Sequence, residues 1–446
     1  MLTLVVVALT ASLPAQPEPL PVAIVREMRR QSATPLWPGF NPTATPLAIY
    51  WKGRTWLFGH PSPPPGFVLD PNAAVFIFNG LHPEVRANTS IALGGVQTAV
   101  AMLDEKATDP AELAALAIHE TFHVFELAKH PKWTADEGQL FVYPYERADI
   151  LHLRRLETEA LRRAAAATDA KTRAEWARAF LAVRAKRAAA MSPEAIAYER
   201  GIELKEGLAQ FVQDRARSTT GAPLPANGFA AEDVRRRGYV IGATVGHLLS
   251  RMRADWADAL EQPAGGPELL GLEAALARHA GPGVAAVFTA NETEATLQAA
   301  RRDTAAIEAS RDGQRIDFIS QPGWTLVVRA GAEPLWPQGF DPLNVRPLGG
   351  GMLLHVRFLK LGNAGGSLEM LDGRGLTESA GEHPLFNGVR TFTIAGLAAA
   401  PDVQERDGGV TFAGGAVKGT FSKGTVQREG RTITVNAGSK QGQPPY

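Results

Sequence analysis

Two histidines separated by three residues, with a glutamate directly after the first, form the most specific chemical pattern in the chain: His119-Glu120-Thr121-Phe122-His123. Residues i and i+4 of an α-helix lie on one face, so both imidazoles can reach the same metal ion. Imidazole nitrogens at ~2.0–2.1 Å are common ligands of Zn²⁺, and a glutamate beside them can act as a base on metal-bound water. The pattern predicts one Zn²⁺ per chain, bound by His119 and His123, with Glu120 as the catalytic base. The alternative is a buried helix whose two histidines bind no metal.

A catalytic zinc site needs a third protein ligand. The chain has no cysteine, which excludes a thiolate ligand. A third histidine at the spacing of the metzincin proteases would stand at position 129, which is a lysine, and the glycine expected at position 126 is Glu126. A glutamate at the compact thermolysin-like spacing would stand at Val142 or Tyr143. The third ligand is therefore expected farther along the chain.

A better match begins at Glu206, 83 residues after His123, in the sequence Glu-Gly-Leu-Ala. It resembles the Glu-Gly-x-Ala sequence that supplies the zinc glutamate in gluzincin metallopeptidases, among which the zinc aminopeptidases carry a comparable Glu-Gly-Phe-Ala. Together the two motifs make residues 109–211 similar to a gluzincin. The resemblance implies His119, His123 and Glu206 as the metal ligands, with an inserted pair of Arg- and Ala-rich helices filling the gap. Gly207 inside a helix would suit a close helix–helix approach beside the metal.

Other acidic residues stay open as third ligands. Glu199 and Glu203 lie on the same helical face as Glu206. Either could replace it, orient a ligand histidine, pair with an arginine, or belong to a solvated acidic stripe. Weaker candidates are Glu137, Glu146 and Asp149.

Several gluzincin families place a tyrosine or histidine after the third ligand, where it donates a hydrogen bond to the oxyanion. The resemblance implies this role for Tyr239, with His247 as the reserve. The alternative for Tyr239 is a core position on a helix face rich in glycine. By the same analogy, residues 89–93 could form the strand that binds an extended substrate through its main chain.

Capping signals place the metal-binding pattern on a helix. Asp109, Pro110 and Glu112 are typical of an N-cap, a first helical position and a capping-box glutamate, which predicts a helix from 109 to about Lys129. Further helices are predicted at 146–168, 171–190, 193–217, 231–254 and 266–279. Before them, short strands are predicted at Leu47–Trp51, Thr55–Phe58 and Ala73–Phe78. Residues 87–103 are predicted to form a strand, a bend at Gly94-Gly95 and then a second strand or a short helix. After about residue 323, short alternating runs predict strands at Trp324–Val328, Leu353–Leu359, Ser367–Leu371, Thr391–Ile394, Val410–Phe412 and Arg431–Val435.

These elements predict an α+β protein with a zincin-like, mainly helical catalytic domain, a small N-terminal sheet and a small all-β domain. Residues 16–46 are rich in proline and are expected to be irregular, and Arg154–Ala190 is expected to form a solvated helical hairpin. The sequence Pro35-Leu-Trp-Pro-Gly-Phe-Asn-Pro42 is echoed at 334–342, which indicates an aromatic-anchored turn used twice. The predicted division is a signal peptide at 1–15, the N-terminal part of the catalytic unit at 16–105, a helical zinc-binding region at 106–280, a helical linker at 281–322 and the β domain at 323–446.

Composition and hydropathy exclude several classes of protein. The 446 residues contain 46 basic and 46 acidic side chains, so the net charge of zero excludes a dedicated polybasic nucleic-acid binder. The absence of cysteine excludes a disulfide scaffold. No interior apolar run predicts a membrane span. The apolar start followed by small residues predicts export, and hence a secreted or periplasmic protein.

The predicted function is a secreted or periplasmic zinc metallopeptidase acting on a peptide or protein substrate. Two alternatives remain: an inactive zincin-like surface or binding protein, and a zinc hydrolase of a non-peptide substrate. The oligomeric state stays open.

Overall fold

The computed structural model of the chain describes residues 18–71, 73–261, 271–341 and 344–438. Within them the chain is an α+β protein, with an N-terminal sheet, a helical region and a C-terminal β region of two sheets. The predicted signal segment at 1–15 lies outside the described residues. Among the described helices, none has the length and apolarity required to cross a bilayer.

Some of the described helices begin at a polar side-chain cap and others begin without one. They are α1 (Leu20–Gln31), α2 (Pro110–Lys129), α3 (Ala148–Ala166), α4 (Ala170–Ala188), α5 (Pro193–Ala216), α6 (Val234–Met252), α7 (Asp258–Glu261), α8 (Gly271–Ala280) and α9 (Ala290–Ile319), with short 3-10 helices at Pro42–Ala44 and Glu137–Phe141. The Asp109 carboxylate accepts a hydrogen bond from the Ala111 N–H, and Pro110 starts α2. Glu112 does not complete a capping box, because it pairs with Arg217 at 2.6 Å.

The expectation of an irregular segment at 16–46 was wrong for its first half, which forms α1. Pro21 lies in the first turn, where no N–H is needed for the helix, and no proline or glycine follows until residue 35. Ile24 and Met28 are buried and join the core that α1 shares with α2.

The N-terminal sheet places one edge strand beside α2. Its strands are β1 (Leu47–Trp51), β2 (Arg54–Phe58), β3 (Val68–Asp70), β4 (Val75–Asn79), β5 (Thr89–Leu93) and β6 (Val96–Met102), in the order β3-β4-β2-β1-β6-β5. β1 and β6 are parallel, and the other pairs are antiparallel. The structure confirms the predicted strands at 47–51 and 55–58. It also confirms the bend at Gly94-Gly95, where both glycines have positive φ. α2 packs against β6 and β5, so the edge strand lies beside the helix that carries the histidines.

The helical region brings α5 against both α2 and α6, while α3 and α4 form the expected hairpin. The hairpin is not simply solvated, because Arg154, Glu157, Arg184 and Arg187 are buried on its inner side. α9 packs along α3 and also contacts the β region, so the predicted linker at 281–322 is itself a packed helix over Ala290–Ile319.

The C-terminal β region consists of two sheets around one shared apolar core. One strand predicted at Leu353–Leu359 is instead two strands that belong to different sheets, because the chain crosses between the sheets at 356–357. The first sheet has the order β18-β19-β7-β14-β13-β10-β9 and the second β15-β16-β17-β12-β11-β8. The strands are β7 (Trp324–Ala330), β8 (Trp336–Phe340), β9 (Val345–Gly349), β10 (Met352–His355), β11 (Phe358–Asn363), β12 (Gly366–Leu371), β13 (Gly375–Ser379), β14 (Val389–Leu397), β15 (Asp402–Arg406), β16 (Gly409–Gly414), β17 (Val417–Phe421), β18 (Gly424–Glu429) and β19 (Thr432–Ala437).

The two similar proline- and tryptophan-containing sequences do not form the same structure. Trp37 is buried in a turn, with edge-on contacts to Phe122 of α2 and Phe211 of α5. Trp336 is 42% exposed and begins β8. The expected aromatic-anchored turn therefore exists only in the first copy, where it packs behind the helices that carry the histidines and Glu206.

Candidate metal centre

The structure brings His119, His123 and Glu206 together from two helices. The two histidines project from one face of α2, and their Nε2 atoms are 3.1 Å apart. Glu206 enters from α5, with its Oε2 3.7 Å from His119 Nε2 and 3.4 Å from His123 Nε2. All three side chains are largely buried, and they are the only such metal-ligand cluster among the described residues.

The spacing of these atoms fits a small tetrahedral cation. Ligand atoms ~2.0–2.1 Å from a tetrahedral zinc are separated from each other by about 3.3 Å. The three observed separations, 3.1, 3.4 and 3.7 Å, lie around that value. Two imidazole nitrogens and one carboxylate oxygen are also the ligand set of one class of catalytic zinc sites, which leave a fourth position open.

Charge at the cluster favours a cation. Burial lowers the pKa of His119, which favours the neutral imidazole that a metal requires. Burial alone would also lower the pKa of His123, but hydrogen bonds to Glu126 and Glu206 outweigh it and raise the pKa to about 10. Surroundings that hold a proton on His123 this tightly also suit a divalent cation in place of that proton.

Glu126 supports His123 from behind. Its carboxylate lies 2.7 Å from His123 Nδ1, which leaves Nε2 directed at Glu206. A carboxylate that receives the outer N–H of a ligand histidine fixes the ring and its tautomer. Sequence reasoning treated Glu126 only as a missing glycine; its i+3 spacing from His123 was the available signal.

The Glu206 carboxylate has two distinct sides. Burial by itself would raise its pKa, but the neighbouring side chains of His119, His123 and Tyr239 outweigh burial and hold the pKa well below its usual range. While Oε2 faces the histidines, Oε1 lies 3.3 Å from Arg235 Nη2. Glu206 is therefore ionised and held on both sides.

Glu120 lies on the cleft side of α2 beside the cluster. Burial raises its pKa to about 7, with the charge on His123 acting in the opposite direction. A carboxyl with a pKa near 7 can both take up and release a proton at neutral pH, as a general base must.

Tyr239 lies beside the cluster, on α6. Its ring is parallel to that of His119, with the ring centres 6.3 Å apart. Burial, followed by the neighbouring Glu206 carboxylate, raises the pKa of Tyr239, so its hydroxyl stays protonated as a hydrogen-bond donor.

A cleft of about 670 Å³ opens onto these residues. Thr89 and Ser90 of the edge strand β5 form part of its wall. Apolar surface comes from Leu116, Leu127 and Trp133. The cleft therefore combines an edge strand, apolar surface and the candidate metal cluster.

Glu199 and Glu203 do not join the cluster, and they do not form a solvated stripe. Both are buried, and each lies 2.6 Å from an arginine of α4: Glu199 from Arg187 and Glu203 from Arg184. Glu157 of α3 lies between the same two arginines, at 2.8 Å from each. These acids serve a buried ion network that joins α5 to the α3–α4 hairpin.

The remaining sequence candidates also lie outside the cluster. Asp149 pairs with Arg147, and Glu146 lies 3.8 Å from Arg311. His247 pairs with Asp214 at 3.1 Å. Glu137 binds Arg235 at 2.9 Å and so lies next to the site without joining it.

Close packing of α5 on α6 fixes the position of Glu206. A Cβ atom added to Gly207 would lie 2.6 Å from Gly242 Cα, and one added to Gly242 would lie 2.4 Å from the Glu203 carbonyl oxygen. The expectation that Gly207 permits a close helix approach is confirmed.

Comparisons of the chain with protein-family models, with curated proteins and with solved structures found no match. The functional conclusion therefore depends on the residues and geometry described above.

Proposed function

We propose that this protein is a zinc metallopeptidase with a gluzincin-type ligand set of His119, His123 and Glu206. The observation that supports it most is the convergence of these three side chains, with ligand atoms within 4.8 Å of one another, beside a buried glutamate in an open cleft. The helical region and the N-terminal sheet form, in this proposal, a zincin-like catalytic unit over 16–280. Residues 281–322 are the linker and 323–446 the β domain.

The chain's own residues supply binding, proton transfer and charge stabilisation. Zn²⁺ bound at the site would polarise a scissile carbonyl and activate water. Glu120 takes the proton of the attacking water and returns it to the leaving amine. Tyr239 donates its hydroxyl hydrogen to the oxyanion.

The proposed substrate is an extended peptide or protein segment. The edge of β5, which pairs with no other strand among the described residues, offers main-chain hydrogen bonds to an added strand. Export to the periplasm or outside the cell is part of the proposal and follows from the apolar N-terminal sequence alone.

The test compares wild type with Glu120→Gln for zinc content and for cleavage of a peptide library read by mass spectrometry. We expect about one zinc per chain in both proteins, because Glu120 is not a ligand. Cleavage should fall roughly 10²–10⁴-fold in the variant, as for loss of a general base.

A wild-type chain that takes up no zinc would contradict the proposed metal centre. Undiminished cleavage by Glu120→Gln would contradict the assigned base. Zinc uptake with no cleavage of any peptide would favour a non-peptide hydrolase or an inactive binding protein instead.

A further inference from the structure

The C-terminal β region touches the helical region at a short segment next to the metal centre. The segment is the 3-10 helix Glu137–Phe141. His383 Nε2 donates a hydrogen bond to the Gly138 carbonyl oxygen at 3.0 Å. The direction of this bond is fixed, because His383 Nδ1 accepts hydrogen bonds from the N–H groups of Leu385 and Phe386.

Aromatic packing reinforces this contact. The Phe386 ring lies so close to Gly138 that an added Cβ would be 3.0 Å from the ring. Phe141, at the end of the segment, packs against the core of the β region and against the rings of Phe340 and Phe386. The β region therefore holds both Gly138 and Phe141.

The start of the same segment reaches the metal centre. Glu137 Oε1 accepts a hydrogen bond from Arg235 Nε at 2.9 Å, and Glu137 Oε2 accepts one from the Tyr198 hydroxyl at 3.3 Å. Arg235 in turn lies 3.3 Å from Glu206 Oε1 and covers the ring of Tyr239 at 5.0 Å. An uninterrupted series of direct contacts thus runs from the β region to a candidate metal ligand.

We propose that the C-terminal β region supports the metal centre through the segment Glu137–Phe141 and the positioning residue Arg235. Arg235 holds the outer oxygen of Glu206, so that the inner oxygen stays directed at the histidines. This inference builds on the metal centre of the proposed function and assigns a role to the β region, which that proposal leaves without one.

The test measures zinc affinity, by competition with a chelator, in folded full-length protein. We expect Arg235→Gln to weaken zinc binding about 10-fold or more, as for other partners of metal ligands. Phe386→Ala and His383→Ala should weaken it in the same direction, although they lie in another region of the chain. Leu371→Ala is the control, because Leu371 is an exposed apolar residue of the same β region, 54% exposed.

A double-mutant cycle separates positioning from general loss of structure. In a Glu137→Gln background the series of contacts from the β region to Glu206, called the link below, is already broken. Phe386→Ala should therefore cause no further loss of zinc affinity. Additive losses, or wild-type zinc affinity in both Phe386→Ala and His383→Ala, would overturn the proposal.

A second measurement tests the link in protein without metal, through the reactivity of Arg235. The rate at which phenylglyoxal modifies Arg235, followed by peptide mass spectrometry, should rise several-fold in Phe386→Ala and stay unchanged in Leu371→Ala. A wild-type chain that binds no zinc would defeat the proposed function, and the modification rates would still decide whether the β region holds Arg235. Equal rates in wild type and Phe386→Ala would overturn the link itself.

Discussion

At the scale of single residues, the two acidic side chains one helical turn apart on α5 have different tasks. Glu206 faces the two histidines, whereas Glu203 faces Arg184. Both are buried, so exposure does not distinguish them. Their partners do.

We therefore expect Glu206→Ala to abolish zinc binding and Glu203→Ala to retain it. Glu203→Ala should instead lower the free energy of unfolding by roughly 3 kcal/mol, because a buried arginine loses a partner. Zinc stoichiometry and denaturant unfolding of both variants measure the two effects. Zinc lost from Glu203→Ala but kept by Glu206→Ala would reverse the assignment.

Glu126 offers a second test at this scale. Glu126→Gln keeps the size of the side chain but replaces the carboxylate that receives the His123 Nδ1 proton. We expect zinc affinity to fall about 10- to 100-fold, while the fold is retained. Chelator competition gives the affinity, and circular dichroism checks the fold; unchanged affinity would show that His123 needs no such partner.

Single residues also show where sequence reasoning reaches its limit. The spacing of His119 and His123 and the Glu-Gly-Leu-Ala sequence led to the three residues that converge in the structure. Arg235 carried no comparable signal, because its contact with Glu206 depends on how α6 packs on α5. Partners of this kind depend on tertiary contacts that no local spacing encodes.

At the scale of elements, strong local signals predicted the helices well. Asp109-Pro110 marked the start of α2, and the helix predicted at 193–217 corresponds to α5. α1 was missed because prolines on both sides of it dominated the local composition. In the β region, short strands such as β8 and β15 lack a clear alternation, since one has a tryptophan exposed and the other is nearly all exposed.

The contact between α5 and α6 carries a prediction of its own. Gly242→Ala would place a methyl group 2.4 Å from the Glu203 carbonyl oxygen, and helix separation is the only relief. We expect a loss of about 2 kcal/mol in the free energy of unfolding, together with weaker zinc binding because α5 carries Glu206.

Gly313→Ala is the matched control for this substitution. Gly313 lies in α9 with open space where the methyl group would go. There the change should stabilise the protein by up to about 1 kcal/mol, through helix propensity. Equal effects of the two substitutions in thermal unfolding would contradict the close approach of α5 and α6.

At the scale of the whole molecule, the β region contains a buried histidine that makes stability depend on pH. Burial lowers the pKa of His355 to about 4, from an ordinary value of 6.5. Between these values the unfolded chain binds a proton on His355 that the folded chain does not. The contribution of His355 to the free energy of unfolding is therefore fully present above pH 6.5. As the pH drops towards 4, about 3 kcal/mol of it is lost.

His355→Phe should remove this part of the pH dependence. Thr377 Oγ, which lies 3.1 Å from His355 Nε2, can still bond to the Leu353 carbonyl oxygen. Urea unfolding at pH 7 and pH 4.5 should give a smaller difference in the variant than in wild type. The same difference in both proteins would assign the acid sensitivity to other groups.

The separation of 83 residues between His123 and Glu206 has a consequence for the order of folding. The two histidines are neighbours as soon as α2 forms, which is a local event. Glu206 reaches them only after the chain has closed a long loop, and such closure is slow because its entropic cost precedes the reward of the contact. Local pairing of α3 with α4 shortens the effective loop. A chain that emerges from the ribosome N-terminus first would thus present a two-histidine half-site for some time before the carboxylate completes it.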